Sequence, residues 1–138
     1  MNICFFLKPK GTVVCLYEHY TLRQTLEIME NSGYSALPII TNEGIYIGTI
    51  SEGDILSYFK SLKMFNLKDA EKVPLTSIER KRNYSPIRIT SKMADLLNLS
   101  KKENFIPVVD DRGMFIGIIT RQDIIDYFYK NNLGDIYE

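Results

Sequence analysis

Residues 34–59 can be laid on residues 103–128 without a gap, and nine of the twenty-six aligned positions are identical. The pairs are Pro38/Pro107, Gly44/Gly113, Ile47/Ile116, Gly48/Gly117, Ile50/Ile119, Asp54/Asp123, Ile55/Ile124, Tyr58/Tyr127 and Phe59/Phe128. Chance at average residue usage gives roughly one or two. Several mismatches are gentle, as at Ile39/Val108, Ile40/Val109 and Ser51/Thr120. A duplication of this extent fixes most of what a 138-residue chain can become. Two copies are too few for a solenoid, so a pseudo-twofold pair with one shared core is expected.

Each copy reads β-α-β-β-α. "LPII" and "IPVV" are short β-branched runs opened by proline, the pattern of a buried strand. "TNEG" and "DDRG" are turns in which Gly44 and Gly113 supply a positive φ, and "IYIGTI" and "MFIGII" return as second strands. The period then becomes helical, through Ile55, Leu56, Phe59 and Leu62 in one copy and Ile124, Ile125 and Phe128 in the other. Upstream helices are marked by Leu22, Leu26 and Met29, and by Met93, Leu96 and Leu97; "NSG" at 31–33 ends the first. Short leading strands are expected near 12–16 and 85–89. The expected organisation is one module over 1–138. Repeat 1 spans 7–62, a connector 63–73, repeat 2 74–131 and a C-terminal tail 132–138. The fold class is α/β (α+β), with the two repeats packed sheet to sheet.

Composition narrows the function classes. The chain is 45% hydrophobic and 25% charged, ordinary for a soluble globular protein. Seventeen basic residues balance seventeen acidic ones, which argues against bulk electrostatic binding to nucleic acid or anionic membrane. Cys4 and Cys15 lack metal or redox spacing and are expected to be reduced and mostly buried. "MNICFFLKPK" is apolar but too short for a signal sequence and has no basic stretch before it. No run approaches the roughly 18–20 apolar residues of a membrane span. A cytoplasmic protein is expected. His19, the single histidine, has no carboxylate or cysteine at ligand spacing, so no metal site is expected.

The chemistry sits in the repeated heptads, "GTISEGD" at 48–54 and "GIITRQD" at 117–123. Two readings stand open. In one, Ser51-x-x-Asp54 and Thr120-x-x-Asp123 are capping boxes that satisfy the first turn of a helix, with aspartate where glutamate or glutamine is usual. In the other, the same helix start is an anion site and the carboxylate takes the two hydroxyls of a ribose. Hydroxyl and carboxylate three residues apart suit a nucleoside phosphate.

The duplicated stretches "SALPIITNEGIYIGTISEGD" and "NFIPVVDDRGMFIGIITRQD" resemble a tandem pair of cystathionine-β-synthase-type (CBS) domains, the Bateman module, over roughly residues 7–131. The chain is also similar to small stand-alone bacterial CBS-pair proteins. The resemblance implies adenine-nucleotide sensing in two clefts between the repeats. One cleft would use Thr120 and Asp123 with Tyr34, Ser35 and Ala36; the other Ser51 and Asp54 with Asn104, Phe105 and Ile106. Backbone groups around Ala36 and Ile106 would read the adenine edge. Arg121 adds a cation to the first cleft, whereas Glu52 and bulky Phe105 disfavour the second, unless Phe105 stacks on the base. In "ERKRN" Arg80, Lys81 and Arg82 before the second repeat, and Lys8 and Lys10 before the first, are candidate phosphate contacts or solvated loop residues.

No nucleophile with an activating base is evident, so no enzyme is expected and no cofactor beyond a regulatory ligand. Tyr58, Phe59, Tyr127 and Phe128 suit core packing or a dimer face. The expected function is a regulatory module that senses AMP, ADP, ATP or cyclic di-AMP. It would act as a homodimer and signal to a separate protein target. The alternative is a ligand-free structural or protein-interaction module.

Overall fold

The structure, a computed structural model, describes residues 2–62, 66–82 and 84–133. In chain order the elements are β1 (Lys8–Pro9), β2 (Leu16–Tyr17), α1 (Leu22–Ser32), β3 (Ala36–Ile40), β4 (Tyr46–Ser51), α2 (Glu52–Lys60), α3 (Leu67–Ala70), β5 (Ile87–Arg88), α4 (Met93–Ser100), β6 (Phe105–Val109), β7 (Phe115–Thr120) and α5 (Arg121–Phe128). The fold is mixed α and β, with two sheets among the described residues. Contacts divide the chain into two compact units. One is continuous, Val14–Asn83; the other joins Met1–Val13 to Tyr84–Glu138.

The continuous unit carries a sheet ordered β2-β3-β4. β2 runs parallel to β3, and β3 forms an antiparallel hairpin with β4 that sets Leu37 opposite Ile50 and Ile39 opposite Gly48. Every residue of β3 is buried, as its unbroken apolar run requires. Gly44, at φ 93°, makes the hairpin turn. Thr21 and Gln24 cap the start of α1 reciprocally, and Gly33 ends it in the left-handed conformation at φ 74°. The core gathers Leu16, Leu22, Met29, Leu37, Ile39, Ile50 and Ile55, together with Ala70, Leu75 and Ile78 from the segment after α2. That segment is stitched down by backbone bonds from Leu22 N–H to the Val73 carbonyl and from Leu75 N–H to the Tyr20 carbonyl.

The composite unit carries a sheet ordered β1-β7-β6-β5. The β6–β7 hairpin repeats the register of its counterpart, with Ile106 opposite Ile119 and Val108 opposite Gly117. Both hairpins slip register by one position at the same place, between Ile39 and Ile40 and between Val108 and Val109. β1 is an extra edge strand, antiparallel to β7, that pairs Lys8 with Ile118 and Pro9 with Gly117. The core comprises Ile3, Phe6, Ile87, Leu96, Ile106, Val108, Ile119 and Ile124.

Some expectations need correction. The first leading strand is Leu16–Tyr17 rather than 12–16, because β2 takes its place beside Ile39 and Ile40. Residues 7–13 cluster with the second repeat, and residues 74–82 cluster with the first. Leu56 and Ile125 keep the helical spacing but are 54% and 57% exposed, since Ile55 and Ile124 already fill the inward face of each helix. Cys4 and Cys15 are half-buried rather than mostly buried.

Candidate functional site

Each repeated heptad spans the handover from a returning strand to its helix. In the first repeat Ser51 is the N-cap of α2. Its Oγ accepts the Asp54 N–H at 3.2 Å, and the Ser51 N–H donates to Asp54 Oδ2 at 3.0 Å. The capping reading is therefore realised in full, with aspartate doing the work of the usual glutamate. The other oxygen, Oδ1, accepts the backbone N–H of Lys81 at 3.0 Å. Asp54 is only 4% exposed. Next to it, the Arg80 guanidinium lies over Gly48, where a methyl would come within 2.8 Å of Nε. Arg80 Nη2 donates to the Ile47 carbonyl at 3.4 Å, while Nε is buried without a hydrogen-bond partner. Arg80 and Lys81 thus close over this helix start.

The second repeat is built on the same plan and left open. Thr120 caps α5 by accepting the Asp123 N–H at 3.2 Å. The Asp123 carboxylate takes up no backbone N–H among the described residues. It faces Lys8 Nζ at 3.5 Å, with the two side chains 38% and 48% exposed. β1 holds Lys8 in place, and the missing side chain of Gly117 is what lets β1 approach. Arg121 N–H donates to the Asn104 carbonyl at 2.9 Å, and Arg121 Nε to the Glu103 carbonyl at 3.3 Å. Its terminal guanidinium nitrogens carry no bond among the described residues, so the cation is anchored near the cap yet able to bind an anion. From Lys8 and Asp123 a groove of about 410 Å³ continues along α5 past Phe5 and Tyr127.

The remaining expected residues fall as follows. Thr120, Arg121 and Asp123 share the composite unit with Asn104, Phe105, Ile106, Lys8 and Lys10. Ser51 and Asp54 share the continuous unit with Tyr34, Ser35, Ala36, Arg80 and Arg82. Lys8 and Lys10 were expected beside the first repeat and lie with the second; the edge pairing of β1 on β7 is the reason. Phe105 is buried and packs on the Tyr84 ring with centroids 5.0 Å apart. Asn104, Tyr34 and Ser35 are exposed, and Ala36 is buried. The Ser35 carbonyl accepts the Glu52 N–H at 2.8 Å, matching the Asn104–Arg121 bond of the second repeat. Tyr58, Phe59, Tyr127 and Phe128 are partly buried against the two cores.

The role of Lys81 was missed, because it is a backbone N–H that bonds Asp54 and no side-chain pattern announces it. Asp110 was read only as part of a turn. Its Oδ1 accepts the N–H groups of Met114 and Arg112, both at 2.9 Å, and the Met114 bond above all holds its carboxyl below the ordinary aspartate value. His19 Nδ1 lies 2.8 Å from Asn42 Oδ1, and its ring stacks on Tyr17. Among the described residues no group of three or more His, Cys, Asp or Glu is placed to hold a metal ion. No helix among them is long and apolar enough to cross a membrane.

Comparisons with known proteins agree with this fold. The CbpB structure solved in complex with c-di-AMP superimposes with a TM-score of 0.85 at 24% identity, over 99% of this chain and 89% of that one. A CBS domain-containing protein of Dictyostelium discoideum is 28% identical, over 80% of each chain. An uncharacterized protein of Methanocaldococcus jannaschii is 27% identical over 84% of this chain, which spans only 27% of that longer relative. The model of the CBS domain matches twice, at residues 9–61 and 81–130. The duplication, the paired hairpins and the two capped helix starts are thus two CBS domains in tandem, and the chain belongs to the CBS-domain family.

Proposed function

We propose that the chain is a regulatory binding module for an adenosine nucleotide, with cyclic di-AMP, AMP, ADP and ATP as the candidate ligands. The observation that carries this reading is the state of Asp123: a half-exposed carboxylate, without a backbone donor among the described residues, three residues from a hydroxyl cap and facing Lys8. The ribose hydroxyls donate to Asp123. The phosphate takes the Thr120 hydroxyl, the free end of Arg121 and Lys8. Lys10 is a further candidate phosphate contact, and backbone groups at Ile106 a candidate reader of the adenine edge. The c-di-AMP complex of CbpB supports the ligand class.

Ligand binding acts by favouring one arrangement of the protein over another, and a separate protein reads the change. The protein is proposed to work as a homodimer through the outward faces of α2 and α5, where Leu56 and Ile125 are exposed. The first repeat favours a second reading. Both oxygens of Asp54 already accept backbone N–H groups, so that helix start acts as a structural cap. One ligand per chain, at Asp123, is the expected stoichiometry.

Thermal-shift and titration calorimetry test this. Ligand at a hundred times its dissociation constant adds about 2.7 kcal/mol of stability. Asp123→Ala is expected to weaken binding by about 1.5–3 kcal/mol. No stabilisation by any of the four nucleotides would leave the ligand-free interaction module as the better description.

A further inference from the structure

The two aspartates of the repeat differ in what faces them, and the difference assigns a role to Lys8. Asp54 is held by fixed backbone donors, whereas Asp123 is held by a single ammonium on a flexible four-carbon stem. The stem is anchored: Lys8 pairs with Ile118 in the β1–β7 ladder, and the following pair sets Pro9 against Gly117. The ammonium is therefore tethered beside Asp123 whether or not the two are paired. A half-exposed ion pair at 3.5 Å contributes little stability and exchanges readily with other partners.

Resting on the adenosine reading above, we infer that Lys8 is a specificity-determining residue that selects phosphorylated ligands by exchanging partners. In the free protein the ammonium sits on Asp123. When a ribose diol donates to that carboxylate, the ammonium is displaced and is left without a counter-charge. A phosphate or phosphodiester on the same ligand supplies one; a bare nucleoside does not. The contact that occupies the ribose subsite thereby becomes the sensor for the phosphate. The other charged groups lining the groove are Asp126 and Lys130 on the helical face that continues from Asp123. Asp126 is the competing resting place for a displaced ammonium, and the experiment separates the two.

The test is titration calorimetry of the wild type, Lys8→Met and Lys8→Arg with cyclic di-AMP, AMP and adenosine. Lys8→Met is expected to weaken the phosphorylated ligand about three- to tenfold, the range of one lost charged contact, and to leave adenosine unchanged or slightly tighter. Lys8→Arg is expected to restore the preference for phosphate. Unchanged affinity of Lys8→Met for the phosphorylated ligand overturns the inference while leaving the adenosine reading intact. Equal weakening of adenosine and nucleotide also overturns it, since it would make Lys8 a general support of the site. Failure of the wild type to bind any of the three, or ADP or ATP, refutes the adenosine reading itself and the inference with it.

Discussion

The carboxylate of Asp54 accepts the backbone N–H of Lys81 at 3.0 Å across 27 residues of chain, and the N–H of Ser51 with its other oxygen. Asp123, the same residue of the second repeat, meets the side chain of Lys8 instead. One aspartate is built into the backbone and the other is held at its surface. Removing each should therefore have unequal consequences for folding. Asp54→Ala leaves two backbone donors unpaired and is expected to cost about 2–4 kcal/mol. Asp123→Ala loses an exposed pair and is expected to cost no more than about 1 kcal/mol. Urea unfolding of the two variants measures the difference; equal losses would mean that the Lys81 bond adds nothing.

The repeated glycines make a matched pair for a second experiment. Gly48 and Gly117 have nearly the same φ, 158° and 155°, so any backbone strain from alanine is common to both. What the new methyl meets is not. At Gly48 it meets the end of the Arg80 side chain, which can swing away; at Gly117 it falls on the carbonyl oxygen of Lys8, which cannot. Gly117→Ala is expected to be the more damaging by about 1–3 kcal/mol, an overpacking effect. It should also speed exchange of the Lys8 amide, the one N–H that β1 carries. A smaller loss at Gly117 than at Gly48 would contradict the close approach of β1.

Acid sensitivity should show at the second hairpin turn. Asp110 is depressed by its bonds to the Met114 and Arg112 N–H groups, so its contribution to stability is complete above the ordinary aspartate value of about 3.9. It is lost as the pH falls through the depressed value. Carboxyl carbon titration by NMR is expected to place Asp110 below the ordinary range. The stability gap between wild type and Asp110→Asn should close as the solution is acidified. A gap that is constant with pH would assign the turn's stability elsewhere.

The proposed dimer is tested at the residues that break the inward pattern of their helices. Leu56→Glu and Ile125→Glu replace exposed apolar side chains, so the fold should tolerate them. Sedimentation is expected to show a smaller species for the double variant than for the wild type. Two identical sedimentation profiles would remove these faces from the interface.

Much of this architecture was readable from the residues because its signals are local. Pro38 and Pro107 mark the buried strands from within, Gly44 and Gly113 turn the hairpins with φ of 93° and 82°, and Ser51 and Thr120 cap helices. What escaped is non-local. A two-residue strand such as Lys8–Pro9 has no period, and its partner, β7, is chosen by an edge elsewhere in the chain. Arg80 looked like part of a basic loop because nothing in "ERKRN" says that it will cover Gly48. Ala70, Leu75 and Ile78 are core residues spaced too irregularly among charges to register as a pattern. In the candidate site the hydroxyl and the carboxylate were legible, while the groups that distinguish Asp54 from Asp123 were not. The difference lies in a backbone N–H at one and an edge-strand lysine at the other.

The composite unit is assembled from both flanks of the chain, with the continuous unit encoded between them. During synthesis the residues of the continuous unit emerge as one block and can collapse as soon as they clear the ribosome. Lys8 and Pro9 must wait with their ladder groups unsatisfied until Phe115–Thr120 has been made. Production of the protein therefore passes through an interval in which a finished half precedes an unfinished one. That interval is when the nascent chain is most open to capture by chaperones, or by the open edge of another copy.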